Sequence, residues 1–177
     1  MPRLFIGLEV PDHVSQSLSF LRGGLPGARW IDAENYHVTL RFLGDIDDRT
    51  ANEVELLLGG IRHGDVEIVL DGLDVFGGTR PRSLFVRVRP SPQLTELQAD
   101  LERLARRAGL PAETRKFTPH ITLARLRDVS SRTAADWLSM KGGFFGQSFK
   151  PESFVLFSSR ASIGGGPYIA EASYPLW

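Results

Sequence analysis

A tetrapeptide that recurs constrains this chain more than any other feature. His37-Val38-Thr39-Leu40 returns as His120-Ile121-Thr122-Leu123 at an offset of 83 residues, and the same offset pairs Leu43 with Leu126 and Asp45 with Asp128. Leu4-Phe5-Ile6 likewise resembles Leu84-Phe85-Val86 at an offset of 80, and both lead through a proline, Pro11 or Pro90, into a helical pattern. Self-similarity at a nearly fixed offset marks a duplicated structural unit. Each half reads strand, helix, HxTL strand, helix, strand. The expected fold is therefore α+β and bilobal, with two antiparallel sheets around a pseudo-two-fold axis and helices on their outer faces, flanking a central cleft. The 177 residues form one domain whose lobes, by the repeat, are roughly 1–79 and 80–177, with a seam at Thr79-Arg80-Pro81-Arg82.

Periodicity supplies the elements. Val14, Leu18 and Leu21 share a helical face that Gly23-Gly24 stops; Leu94, Leu97, Leu101, Leu104 and Ala108 share another, opened by Ser91-Pro92 and closed by Gly109. Two further helices are expected over 48–58 and 131–140. Strands are expected over 4–10, 36–43, 66–76, 84–88, 120–126, 149–157 and 168–174, with Gly164-Gly165-Gly166-Pro167 as the loop before the last.

Side chains alternate along a strand, so His37 and Thr39 share one face while Val38 and Leu40 take the other. The same holds for His120 and Thr122. Each lobe would show the cleft an imidazole and a hydroxyl about 7 Å apart. Imidazole titrates near neutrality, so one histidine can accept a proton while the other, protonated, donates one. The threonine hydroxyls can hydrogen-bond an oxyanion between them. Base, acid and neutral donors in that order suit in-line displacement at phosphorus, and a cyclic phosphate fits because its departing alkoxide must be protonated. Two copies of HxTL among four histidines have a chance expectation on the order of 10⁻⁴. If alternation holds, Arg41 shares the His37 face and is a candidate phosphate clamp. Arg125 would point away unless a bulge turns it. Trp30, Tyr36, Phe42 and Phe117 are either base-stacking or core aromatics. His13 and His63 read as surface residues.

Composition narrows the classes. There is no cysteine, which excludes disulfides and thiolate-bound zinc, and neither HxT pair has a further ligand at metal spacing, so no metal or cofactor is expected. Lys plus Arg and Asp plus Glu are both 21, so no general attraction to nucleic acid or anionic membrane follows, and phosphate binding must be local. Only Lys116, Lys141 and Lys150 among the basic residues are lysines. Arginine is the better bidentate phosphate ligand, although genome composition explains the bias equally well. No stretch resembles a signal peptide or a membrane span, so a cytoplasmic monomer is expected.

These residues resemble a known family. The two HxTL motifs, with Arg3-Leu4-Phe5-Ile6, Trp30-Ile31, Arg41-Phe42-Leu43-Gly44, the run from Phe117 to Arg125, Gly166-Pro167-Tyr168 and Tyr174-Pro175-Leu176, look like the 2H phosphoesterases, most closely the bacterial RNA 2′,3′-cyclic phosphodiesterases, or 2′-5′ RNA ligases. The resemblance implies cofactor-free opening of RNA 2′,3′-cyclic phosphate ends to a 2′-phosphate, tRNA fragments being among the candidate substrates. It implies His37 as proton donor, His120 as proton acceptor, and Thr39 and Thr122 as phosphate-binding. The residues alone do not split acid from base. Two other readings are an RNA-end or nucleotide-binding module without turnover, and a ligase running the reaction backwards.

Overall fold

A computed structural model of the chain describes residues 3–159 and 166–176. Gly164 and Gly165 of the expected glycine loop lie outside the described residues. Strands β1 (Arg3–Glu9), β2 (Ala28–Trp30), β3 (His37–Asp45), β4 (Ile68–Phe76), β5 (Ser83–Val88), β6 (His120–Leu126), β7 (Phe145–Phe149), β8 (Ser153–Ser158) and β9 (Ile169–Pro175) alternate with helices α1 (Asp12–Ser19), α2 (Asp48–Leu58), α3 (Pro92–Arg107) and α4 (Ser131–Lys141). The fold is α+β, as expected.

The helices start where their caps dictate. The side chains of Asp47, Ser91 and Ser130 accept from the backbone N–H of Thr50, Leu94 and Thr133, satisfying donors that no earlier turn can reach. Beyond the end of α3, Gly109 takes φ 95°, the left-handed conformation that lets the chain leave a helix. The expected strand over 149–157 is instead two, β7 and β8, because Pro151 lacks the N–H a ladder needs. β2 was not expected: three residues carry too little periodicity to register.

The strand order is β7-β4-β5-β6-β3-β1-β8-β9, with β2 beside β6. The last core strand of each half crosses to the other: β4 pairs with β5, and β8 pairs with β1. Thus 77–82, the seam in the repeat, is a tight turn within one lobe. Between the lobes, Val38 opposite Ile121 is the single paired position among the described residues. One face of this sheet is covered by the helices. Ile6, Leu8, Val38, Leu40, Ile121 and Leu123 from the strands join Val14, Val54, Leu97 and Trp137 from the helices in one core. Burying that much apolar surface, at about 25 cal/mol per Å², is what holds the two halves together.

Candidate active site

The opposite face carries both histidines. Val38 and Ile121 point into the core, so their neighbours point out, and in this antiparallel register His37 lies opposite Thr122 and Thr39 opposite His120. The pseudo-two-fold passes between the two HxT pairs.

Each imidazole is fixed the same way. His37 Nδ1 lies 2.9 Å from the carbonyl oxygen of Asn35, and His120 Nδ1 lies 2.6 Å from that of Thr118, in both cases two residues upstream. A carbonyl only accepts, so Nδ1 carries the proton and Nε2 is left for the site. Each ring also rests on a phenylalanine pair. Phe5 and Phe157 stack at 5.0 Å and flank His37 at 4.8 and 5.9 Å; Phe76 and Phe85 stack at 4.0 Å and flank His120 at 4.9 and 5.2 Å. One ring of each pair comes from the first strand of a half and the other from the strand exchanged between halves. Tyr168 adds an edge-on contact to His37 at 5.0 Å.

This packing sets the electrostatics. Desolvation among the aromatics pushes the His37 pKa down to about 4; the Asn35 carbonyl opposes it, and His120 and Arg125 add repulsion. His120 is lowered for the same leading reason, opposed by the Thr118 carbonyl and assisted by Arg125. Both imidazoles are therefore neutral at pH 7 in the empty site. An arriving phosphate anion stabilises the charged form of whichever acts as acid.

The two arginine candidates exchange places relative to simple alternation. Across from β3, Ile6 pairs with Arg41 and Gly7 with Thr39, leaving Leu40 as an extra residue; across from β6, Leu84 pairs with Ala124 and Phe85 with Thr122, leaving Leu123. One extra residue reverses the facing of everything after it. Arg41 is accordingly 7% exposed on the helix side, its Nε 2.5 Å from Glu102 Oε2 and its Nη2 2.6 Å from the Pro111 carbonyl, with Nη1 on the carbonyl of Phe42. Its donors are committed to structure, which corrects the expectation of a phosphate clamp. The matching bulge turns Arg125 onto the histidine face, where it hydrogen-bonds the Tyr168 hydroxyl and acts on both imidazoles. Phe42, at the equivalent place in the first copy, is 50% exposed beside Phe5.

Of the other aromatics, Trp30 packs on Trp137 at 5.8 Å, Tyr36 is buried, and Phe117 packs against the core. His13 is exposed, and His63 lies in a loop with Nδ1 3.2 Å from the Gly64 carbonyl. Sequence reasoning missed Phe5, Phe76, Phe85, Phe157, Tyr168 and Asn35. The Phe5/Phe85 match in the repeat could have found two of them. Asn35 gave no signal: its backbone carbonyl holds His37 while its side-chain Oδ1 accepts the Tyr168 N–H at 3.3 Å. Gly166 passes so close that a Cβ there would collide with the Asn35 amide.

No three histidine, cysteine, aspartate or glutamate side chains among the described residues are grouped to hold a metal ion. None of the helices there is long and apolar enough to cross a membrane.

Known proteins resemble the chain over its whole length. An RNA 2′,3′-cyclic phosphodiesterase of Aquifex aeolicus is 30% identical over 185 aligned residues, 97% of this chain and 96% of that protein. Another of that description, from Escherichia coli K12, is 30% identical across 94% of this chain and 92% of its own. The crystal structure of E. coli LigT complexed with 3′-AMP superposes with a TM-score of 0.83 at 28% identity, covering 99% of each chain. Residues 10–161 match the family model described as the 2′-5′ RNA ligase superfamily, and the chain belongs to that family.

Proposed function

We propose that the chain hydrolyses RNA 2′,3′-cyclic phosphate ends to 2′-phosphomonoesters by two-histidine acid–base catalysis without a metal. The carrying observation is the matched pair of imidazoles, each with Nδ1 tied to a backbone carbonyl and Nε2 free, each opposite the other copy's threonine. His120 Nε2 takes a proton from the attacking water as its oxygen bonds to phosphorus. The P–O3′ bond breaks, and protonated His37 Nε2 gives its proton to the departing 3′ oxygen. One water is consumed, and solvent returns the histidines to their starting forms. Thr39, Thr122 and Arg125 hold the phosphate oxygens; Arg41 has no part in it. The names of the full-length relatives support the substrate. The assignment of acid to His37 rests on family resemblance.

The chain acts as a monomer in the cytoplasm, on RNA fragments that include pieces of tRNA. Incubation with an oligoribonucleotide ending in 2′,3′-cyclic phosphate, followed by separation of 2′- from 3′-phosphate ends, tests the reading. Only the 2′ product is expected, at a rate unchanged by exhaustive EDTA. A 3′ product, or activity lost on chelation and restored by one divalent ion, overturns it.

A further inference from the structure

The two halves differ where the repeat would make them alike. Beyond its bulge β3 presents Phe42 and then Gly44, whereas β6 presents Arg125 and is followed by Arg127 at the equivalent positions, 83 residues on. Arg127 keeps the β6 ladder going, its backbone N–H donating to the Gly27 carbonyl at 3.0 Å, so by alternation its exposed side chain shares the face of Arg125. Beside them β2 places Arg29 directly opposite Arg125, and cross-strand partners share a face. Arg29 also acts electrostatically on Tyr168, which touches His37. Trp30, the next residue, turns to the other face and packs on Trp137, which fixes the orientation of β2.

Three guanidinium groups thus form a strip leading away from His37. Arg3, Arg87 and Arg89 elsewhere on the strands are bound to Asp45, Asp74 and Asp71, but neither Arg125 nor Arg127 forms an ion pair with a carboxylate among the described residues. In a chain with 21 basic and 21 acidic residues, a cationic strip at one end of the site is local attraction, not a by-product of net charge. Arg125 and Arg127 stand about 7 Å apart along the strand, similar to the spacing of successive phosphates in an extended single strand.

Resting on the function proposed above, we infer that Arg29 and Arg127, continuing from Arg125, form a subsite for the internucleotide phosphates upstream of the cyclic end. The occupant is single-stranded RNA. The subsite makes the chain prefer an oligonucleotide to a mononucleoside cyclic phosphate, because only the former carries phosphates for the strip.

The test compares kcat/KM for a mononucleoside 2′,3′-cyclic phosphate and for a short oligoribonucleotide with the same end, in wild type, Arg29→Ser, Arg127→Ser and the double variant. At about 0.1 M salt the double variant should lower the oligonucleotide-to-mononucleotide ratio about threefold or more. Its log–log salt dependence on the oligonucleotide should flatten by about 0.7 for each cation removed. The double lysine variant should keep both ratio and slope near wild type. A double serine variant with unchanged ratio and slope overturns the subsite while leaving the site chemistry standing. If wild type opens neither substrate, the proposed function fails and takes the subsite with it.

Discussion

Replacing Arg41 and Arg125 in turn separates scaffold from site. Arg41→Met keeps most of the buried alkyl volume and deletes the charge. Burial alone would raise the pKa of its partner Glu102; the Glu113 N–H and the Arg41 and Arg106 donors outweigh that, and Glu102 lies below its ordinary value. Without Arg41, Glu102 retains Arg106 Nε at 3.1 Å and the Glu113 N–H at 3.0 Å. Removing one member of a buried pair costs about 3–5 kcal/mol, and these two surviving donors place the loss at the low end, about 3 kcal/mol. At this chain length that is a fall in Tm of roughly 6–12 °C. Arg125 is exposed, so Arg125→Met should change stability by no more than about 0.5 kcal/mol. It should cost about tenfold to a hundredfold in kcat/KM, the worth of a charge-assisted hydrogen bond to phosphate of about 1.5–3 kcal/mol. Urea unfolding at pH 7 and initial rates on a cyclic-phosphate oligonucleotide, measured well below either melting point, give both quantities. Arg41→Met should keep its rate per folded molecule within about threefold. A reversed pattern, with Arg41→Met stable and inactive, would refute the bulge argument.

Both remaining predictions concern pH. The kcat/KM profile reports the free site, where both imidazoles are lowered, so its bell should lie to the acid side of 6.5, with limbs belonging to the coupled pair. The kcat bell should lie at higher pH because bound phosphate favours imidazolium; coincident bells centred at or above 6.5 would count against the desolvated site. For stability, the folded pKa of His37, about 4, lies below an unfolded value of about 6.5. The unfolded chain therefore binds more protons in that window, and stability is lost as pH falls from about 6.5 toward 4. Urea midpoints at pH 7 and 4.5 should show wild type losing about 2 kcal/mol more than His37→Gln; equal losses would mean His37 is not buried neutral.

The sequence carried the duplication, three helices almost to the residue, and both HxT pairs, because a repeat and a helical period are local patterns. What escaped it depended on partners distant in the chain. The bulges at Leu40 and Leu123 appear only in the register against β1 and β5, and with them the facings of Arg41 and Arg125 reverse. The exchange of β4 and β8 between halves is a choice among pairings that no local pattern specifies. That exchange brings Phe76 and Phe157 under the two histidines. Asn35 acts mainly through a backbone carbonyl, which any residue possesses.

The central claim is that two histidines, one from each copy, carry the proton transfers. Turnover of a 2′,3′-cyclic-phosphate oligonucleotide by His37→Ala and His120→Ala, each shown folded by circular dichroism, tests it most directly. Each should lose about 10² to 10⁴ in kcat, the usual contribution of a general acid or base. Near-wild-type turnover by either folded variant would contradict the account.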